Sequence, residues 1–275
     1  IARKILEGNR KVIGVDNFSD LLYPREIKEV RWNELTRDFS DKFIGLNFNL
    51  LHDNFDVIAD FNITSVFNQA ALPGLISNWN DAKFYYEHNL IALNRLLEFA
   101  RKKPLVSFIQ ASTSSVYGRE ATGSEDGITT PISPYGVSKL GAEKLCDAYF
   151  RIYGVPVKIL RYFSVYGPGQ RPDMAFSKII KSVICKEEFP IFGSGDQKRS
   201  NTFIEDIVEA TLLAEFRMRE GTILNICGDE TSSLNDAIGI IEKISGVNLL
   251  IKRFPPRLGD QFITSGNNTR AKQIL

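Results

Sequence analysis

Short apolar runs alternate with helical patterns over the first 165 residues. Near-continuous apolar segments predict strands buried on both faces, at 11–16, 43–48, 64–68, 105–111 and 155–162. Between them, apolar residues at helical spacing predict helices over 84–102 and 134–153. This alternation predicts an α/β fold with a doubly wound parallel sheet.

Beyond residue 166 the rhythm changes, and we expect a smaller α+β lobe there. Its predicted helices cover about 174–186, 205–216 and 233–245. The division is therefore 1–165 for the first domain and 166–275 for the second lobe, with 205–228 as a segment that can pack back on the first domain. Residues 1–8 are typical of the last two turns of a helix, closed by Gly8.

Composition and charge exclude several classes of protein. With 43% hydrophobic and 24% charged residues, the chain is neither disordered nor a disulfide scaffold. Its net charge of +1 provides no excess of positive charge that would attract nucleic acid or an anionic membrane surface. No apolar run approaches the ~18 residues of a membrane span, and no signal peptide is recognisable. Three scattered cysteines are expected to be buried small hydrophobic residues in a reducing compartment, and with only two histidines the sequence predicts a cytoplasmic protein without a metal site.

Asp16 ends the first predicted strand. An acid at this place in a dinucleotide fold binds the adenosine ribose hydroxyls and favours NAD over NADP; the alternative is a plain Asp-Asn turn. The glycine loop that accompanies such an acid lies about 20 residues upstream, before Ile1, so we expect the first strand and that loop to be missing from this chain. Gly167-Pro168-Gly169 and Gly193-Ser194-Gly195 lack the strand-to-helix setting and are predicted turns.

Two further segments carry chemistry. Ser133 fits an N-cap and Pro134 the first helical position, so Tyr135 and Lys139 lie one turn apart on one helix face. A lysine ammonium near a phenol lowers the phenol pKa and makes a base for a hydroxyl proton. The hydroxyl run 112–115 follows the fourth strand, where ligands bind in parallel sheets. Taken singly, the Tyr-x-x-x-Lys spacing is weak evidence for catalysis, and the hydroxyl run also fits an ordinary turn. The order of the two segments along the chain favours an active site.

Together these segments resemble the extended short-chain dehydrogenase/reductase family, in particular its NAD-dependent nucleotide-sugar epimerases of UDP-glucose 4-epimerase type. The likeness extends over nearly the whole chain. It is carried by the following segments: Val12 to Asn17, Gln69-Ala70-Ala71, Asn89, Ser112 to Gly118, Ser133 to Lys139, Arg161 to Pro168, Arg171 to Ala175, Phe192 to Arg199, and Arg257-x-Gly259-Asp260. The family's sequence continues past Leu275, so we expect a tail to be absent as well.

The resemblance implies a role for each matching residue. The catalytic residues would be Thr113, Tyr135 and Lys139. The NAD groove would be formed by Asp16, Asn17, Phe18, Ser19, Asn47, Phe48, Gln69, Ala70, Ala71, Asn89, Lys139 and Phe163. The nucleotide sugar would be bound by Thr113, Tyr135, Ser164, Phe192, Arg199, Arg257 and Thr264. The family also implies a homodimer, with helices 84–102 and 134–153 in contact.

The implied reaction is epimerisation at C4 of a nucleotide-diphosphate sugar through a transient 4-keto sugar. Related 4,6-dehydratases carry Asp-Glu where Ser114 and Ser115 stand, and UDP-glucuronate decarboxylases usually carry Glu at Ser115, so both are less favoured alternatives. A third alternative is a catalytically inactive relative that only binds NAD and a UDP-sugar. Thr264, at a gatekeeper position, is small enough for a UDP-N-acetylhexosamine, whereas residues 171–175 are also found in UDP-glucuronate epimerases. A UDP-hexose, UDP-N-acetylhexosamine and UDP-hexuronate all stay open.

Four positions depart from the family pattern. Ser164 stands where Asn is usual, Asn47-Phe48 stand where an Asp and an aliphatic residue flank the adenine, and Asn68 replaces a common His. Each weakens an expected contact, but none is a catalytic position.

Overall fold

The computed structural model describes residues 1–74, 81–257 and 260–275. Its strands are, in chain order, β1 (Val12–Asp16), β2 (Phe43–Asn47), β3 (Ser65–Asn68), β4 (Ser107–Thr113), β5 (Glu120–Ala121), β6 (Val157–Tyr162), β7 (Ser164–Tyr166), β8 (Phe189–Phe192), β9 (Lys198–Arg199), β10 (Asn201–Phe203), β11 (Ile223–Ile226), β12 (Ser232–Ser233), β13 (Ile251–Phe254) and β14 (Ile263–Thr264).

The helices alternate with these strands. They are α1 (Ala2–Glu7), α2 (Arg25–Asp38), α3 (Ala82–Tyr86), α4 (Ala92–Ala100), α5 (Pro134–Tyr153), α6 (Ala175–Cys185), α7 (Ile204–Arg217), α8 (Leu234–Ser245) and α9 (Thr269–Ile274). Short 3₁₀ turns cover Phe55–Ile58 and Ser114–Tyr117, and a π-helical turn, Glu87–Ile91, joins α3 to α4.

Parallel pairing organises the first domain. One sheet has the order β11-β6-β4-β3, and a second pairs β1 with β2. Every neighbouring pair is parallel; for example, Thr113 lies opposite Tyr162, and Asp16 lies opposite Asn47. Because parallel strands end at the same edge of a sheet, Asn68 and Thr113 lie at one edge of the first sheet, while Asp16 and Asn47 end their strands at one edge of the second.

Apolar layers cover both faces of the main sheet, which gives the predicted doubly wound arrangement. On one face α4 and α5 pack on β4 and β6, with Leu97, Phe108 and Cys146 fully buried. On the other face α7 packs on β4 and β6 through Ile207 and Ala214. Strand β11 pairs with β6 at the edge of this sheet, so residues 204–226 pack on the main sheet.

The second lobe is built from smaller sheets. Strands β8 and β13 pair beneath α6 and α8, around Ile179, Ile191 and Ile238. A mixed sheet of order β12-β9-β14-β5 joins the lobe to the loop after β4. In the described part of the chain, no helix combines the length and the apolar character that crossing a membrane requires.

Three local predictions need correction, and one helix was missed. The helix expected over 84–102 is interrupted by the π-helical turn and ends at Ala100. Helix α2 was not predicted from the sequence, because none of its residues is buried and its apolar periodicity is weak. Asn9 rather than Gly8 takes the left-handed conformation after α1, with φ of 64°. Cys185 is exposed, whereas Cys146 and Cys227 are buried as expected. The glycines at 167, 169, 193 and 195 have positive φ, as predicted for turns.

Candidate active site

The end of β4 and the turn that follows it form the floor of the site. The Thr113 side chain caps the turn, because its Oγ1 accepts a hydrogen bond from the Ser115 amide at 3.2 Å. The turn ends at Gly118, whose φ is 95° and whose Cα lies so close to the Thr130 carbonyl that a Cβ would meet it at 2.2 Å. Only glycine fits there, and this fixes the path of the hydroxyl run.

Helix α5 begins beside this floor, as predicted. The Ser133 hydroxyl accepts a hydrogen bond from the Gly136 amide at 3.1 Å, and Pro134 occupies the first turn. A Cβ at Gly136 would lie 2.7 Å from the Ser115 carbonyl, so the first turn of the helix touches the hydroxyl run. Tyr135 and Lys139 therefore face the end of β4.

Lys139 is buried in this contact. Its ammonium Nζ donates to the Ala111 carbonyl at 2.6 Å, and the residue is 3% exposed. Burial lowers its pKa to about 8, an effect that the nearby Cys146 and Glu143 oppose. The lysine is thus held as a buried cation near neutral pH, one turn from Tyr135.

The phenol of Tyr135 differs from the prediction in one respect. Burial raises its pKa; the hydrogen bond with Thr113 and the charge of Arg171 act in the opposite direction. The expected lowering by Lys139 is not seen, because the ammonium is directed at the Ala111 carbonyl. Arg171 itself is fixed by a bidentate ion pair with Asp173, at 2.9 and 2.8 Å.

A cavity opens above Tyr135 between the two lobes. It is lined by Gly74, Ser115, Ile132, Ser133, Tyr135, Arg199, Asp260 and Gln261. The Arg199 guanidinium is held in place by the carbonyls of Lys198, Gln261 and Phe262, at 2.8, 2.6 and 3.3 Å. Burial lowers its pKa, opposed by Asp260, and burial raises the pKa of Asp260. The cavity thus brings a phenol and a fixed cation together.

The other predicted sugar-nucleotide residues lie in three places. Arg257 rests on the Phe192 ring, with its Cζ 3.5 Å from the centroid, and Phe254 stacks on Phe192 at 5.3 Å. Ser164 is half-buried in β7. Thr264 is only 1% exposed, in β14, and is not among the cavity-lining residues, because that strand is enclosed between β9 and β5. The matched Gly259 lies outside the described residues.

The predicted adenosine site is a tight turn after β1. The Asp16 carboxylate accepts a hydrogen bond from the Phe18 amide at 2.7 Å, and Asn17 accepts one from the Ser19 amide at 3.1 Å. Phe18 has φ of 51° and buries its ring against Trp32. Asn47 ends the neighbouring strand, and the Phe48 amide donates to the Asp16 carbonyl at 2.9 Å. These residues are brought together at one sheet edge.

The middle of the predicted NAD groove follows β3. Gln69 and Ala70 are exposed there, next to Ala71. The Asn89 amide, on the π-helical turn, is engaged within the protein: Oδ1 accepts from the Leu72 amide at 2.7 Å, and Nδ2 donates to the Ser138 hydroxyl at 2.9 Å.

Phe163, also predicted for this groove, is 4% exposed and packs tightly on Gly266. For both Asn89 and Phe163, contact with NAD stays a prediction.

Sequence reasoning missed Arg171, Gln261 and the buried pair of Glu143 and Arg161. The Gln261 amide donates to the Gly118 carbonyl at 2.6 Å and so ties the second lobe to the hydroxyl run. Glu143 could have been found, because it lies one helical turn beyond Lys139 on the same face. The other contacts join segments far apart in sequence and carry no local signal.

A phenol, a buried ammonium and a hydroxyl at the carboxyl edge of a parallel sheet define an α/β enzyme site of the dinucleotide-binding class. Residues 1–227 match the NAD-dependent epimerase/dehydratase family. The chain therefore belongs to that family.

Individual relatives and solved structures of this family are similar to the chain over most of its length. An uncharacterized UDP-glucose epimerase of Bacillus subtilis, YtcB, is 38% identical over 267 residues, covering 96% of this chain and 83% of the relative. A UDP-glucuronate 4-epimerase of Thermodesulfobacterium geofontis is 32% identical over 277 residues, covering 98% and 84%. The crystal structure of UDP-glucuronic acid 4-epimerase from Bacillus cereus with UDP-glucuronic acid and NAD has a TM-score of 0.94 at 34% identity, covering 100% and 88%. The predicted family, fold class, NAD cofactor and epimerase activity are confirmed.

Proposed function

We propose that the protein is an NAD-dependent UDP-sugar 4-epimerase whose substrate is a UDP-hexuronate. The observation that carries the proposal is the grouping of Thr113, Tyr135 and Lys139 at the end of β4, beneath a cavity that also holds Arg199. The hexuronate is supported by similarity to UDP-glucuronate 4-epimerases, such as those of Thermodesulfobacterium geofontis and Bacillus cereus, and by the segment 171–175. Among the described residues Thr264 does not line the cavity, so its small side chain gives no support for an N-acetylhexosamine.

The described residues fit NAD. The Asp16 turn presents an exposed carboxylate for ribose hydroxyls, and exposed Ala70 follows β3 without a bulky side chain in the groove. When bound, NAD supplies the acceptor and donor of the C4 hydrogen. Asp16 would hold the adenosine end and Lys139 the nicotinamide ribose.

The protein's own groups move one proton. In this proposal the Tyr135 phenolate takes the proton of the sugar 4-hydroxyl and returns it after the 4-keto sugar has rotated. Thr113 would hydrogen-bond the same oxygen. The hydrogen bond with Thr113 and the charge of Arg171 oppose the effect of burial on the pKa of Tyr135 and so favour its phenolate form. Arg199 and Arg257 would bind the diphosphate, for which guanidinium groups are suited.

Two alternatives are less well supported. Elimination or decarboxylation needs an additional acid or base, and the residues after Thr113 are the hydroxyls of Ser114 and Ser115. An idle relative would not need a cation kept in a site where burial lowers its pKa.

We include a homodimer in the proposal. Apolar side chains are exposed on the helices expected at the contact, namely Tyr86, Ile91, Val137, Ile152 and Tyr153. Size-exclusion chromatography with light scattering measures this directly; a monomer at micromolar concentration would contradict it. A cytoplasmic location is also proposed, supported by three cysteines that form no disulfide.

The activity is tested by incubating the protein and NAD with UDP-glucuronate, UDP-glucose or UDP-N-acetylglucosamine and following the sugar by NMR. We expect the C4 epimer of UDP-glucuronate without net NADH. Preferential turnover of UDP-glucose would correct the substrate, whereas release of CO₂ or water would replace the epimerase by one of the alternatives.

A further inference from the structure

A buried ion pair lies beneath the catalytic residues, and the proposed reaction does not use it. Arg161 of β6 binds Glu143 of α5 through two hydrogen bonds, Nε to Oε1 at 2.9 Å and Nη2 to Oε2 at 2.7 Å. Glu143 is 2% and Arg161 3% exposed. Buried ion pairs can often be replaced by apolar residues without loss of stability, so stability alone does not explain this one.

The carboxylate of the pair contacts the end of β4. The Ser112 hydroxyl donates to Glu143 Oε1 at 2.5 Å. Ser112 stands between Ala111, whose carbonyl accepts the Lys139 ammonium at 2.6 Å, and Thr113, which is hydrogen-bonded to Tyr135. Consecutive residues of the strand are thus tied to positions 135, 139 and 143, which follow one another at one-turn intervals along α5.

The guanidinium of the pair contacts the turn after β4. Arg161 Nη1 donates to the Tyr117 hydroxyl at 2.8 Å and to the Glu125 carbonyl at 3.2 Å. The Tyr117 hydroxyl donates in turn to Asn225 Oδ1 at 2.7 Å. Since Tyr117 ends the turn that begins after Thr113, the same pair holds both sides of the hydroxyl run.

We propose that Glu143 is a positioning residue of the epimerase site: with Arg161 and Ser112 it fixes the end of β4 against α5, and so sets the geometry of Thr113, Tyr135 and Lys139. The inference rests on the proposed function for the roles of those three residues. In the part of the chain that the structure describes, the titratable groups near Lys139 are Cys146, Glu143 and Tyr135 on its own helix, with Arg161 from β6 behind Glu143. Among them, the Glu143 carboxylate is the anion that favours the ammonium form.

Two serines of β4 give a matched test. Ser112→Ala removes the hydrogen bond to Glu143, whereas Ser107→Ala removes an equally buried hydroxyl that has no partner among the described residues. Because small displacements of catalytic groups are costly, Ser112→Ala should lower kcat about tenfold while changing KM for UDP-glucuronate less than about twofold. Ser107→Ala should leave both constants within about twofold of the wild type.

The ion pair itself is tested by two further variants. Glu143→Gln keeps the shape and an acceptor for Ser112 but removes the anion, so the alkaline limb of the kcat–pH profile should move to lower pH. The double variant Glu143→Leu, Arg161→Met removes both charges and should fold, since apolar pairs often substitute for buried ion pairs. A purely structural pair predicts wild-type kcat for the double variant; a positioning pair predicts that the loss of kcat persists.

The proposal is overturned if Ser112→Ala and Ser107→Ala have the same kcat per bound NAD, or if the double variant regains wild-type kcat. These comparisons stand even if Glu143→Gln does not fold. If the wild type epimerises no UDP-sugar, the proposed function fails instead. Hydrogen exchange over residues 111–118 then still tests the contact: it should be faster in Ser112→Ala than in Ser107→Ala, and equal rates would refute the inference.

Discussion

The ammonium group of Lys139 is buried, and replacing this residue with methionine should raise the free energy of unfolding. Burial lowers its pKa from 10.5 to about 8. Between these values the folded state binds fewer protons than the unfolded state, so stability rises with pH across that interval. Below pH 8 both states are protonated and the cost is present in full; at about 1.4 kcal/mol per pKa unit, it is about 3 kcal/mol near pH 7.

Lys139→Met removes this cost but also removes one hydrogen bond. The Ala111 carbonyl keeps the Gln110 side-chain amide as a donor at 2.8 Å, so the loss is about 1 kcal/mol. We therefore expect a net gain of about 2 kcal/mol near pH 7, shrinking almost to nothing near pH 9.5. The variant should not turn over substrate.

Urea unfolding of wild type and variant at both pH values measures this difference. Lys144→Met, an exposed lysine on the same helix, is the control and should change stability by less than about 0.5 kcal/mol at either pH. A Lys139→Met protein that is less stable than wild type near pH 7, or whose advantage does not depend on pH, would refute the reasoning.

Three other substitutions test separate parts of the account. Thr113→Val should lower kcat by about 10²-fold with little change in UDP binding, because a hydrogen bond to the reacting oxygen is lost. Steady-state kinetics measures both constants, and a rise in KM with unchanged kcat would contradict this role. Arg199→Gln should weaken UDP binding by calorimetry about tenfold or more, and unchanged affinity would remove Arg199 from the diphosphate site. Leu97→Ala, fully buried beneath the sheet, should cost about 2–5 kcal/mol in urea unfolding; a smaller loss would mean that the core there collapses around the gap.

Strong periodicity and local capping chemistry made much of the fold predictable. Ser133 and Pro134 placed the start of α5 at the residue where the structure begins it, because a cap acts within one turn. Helix α2 escaped prediction since it buries none of its residues. The π-helical turn at Asn89 was also missed; it arises where that amide reaches Leu72 and Ser138, and such tertiary contacts leave no periodic signal.

The parts of the site that lie within one helix or strand could be predicted from the sequence. The contacts between different helices and strands could not. Tyr135 and Lys139 share a helix turn, so their proximity follows from spacing. The direction of the Lys139 ammonium does not, since it depends on the Ala111 carbonyl of a different strand. The Arg161–Glu143 pair likewise joins a strand to a helix 18 residues away, and only the packed structure brings its charges together.

The central claim is that the sugar is oxidised and reduced at C4 within one active site. The direct measurement uses UDP-glucuronate deuterated at C4, incubated with the protein and NAD in ordinary water, with NMR and mass spectrometry of the product. The account predicts that the C4 epimer retains its deuterium, because the C4 hydrogen leaves and returns without exchanging with water. Product that carries protium at C4, or that has lost CO₂, would contradict it.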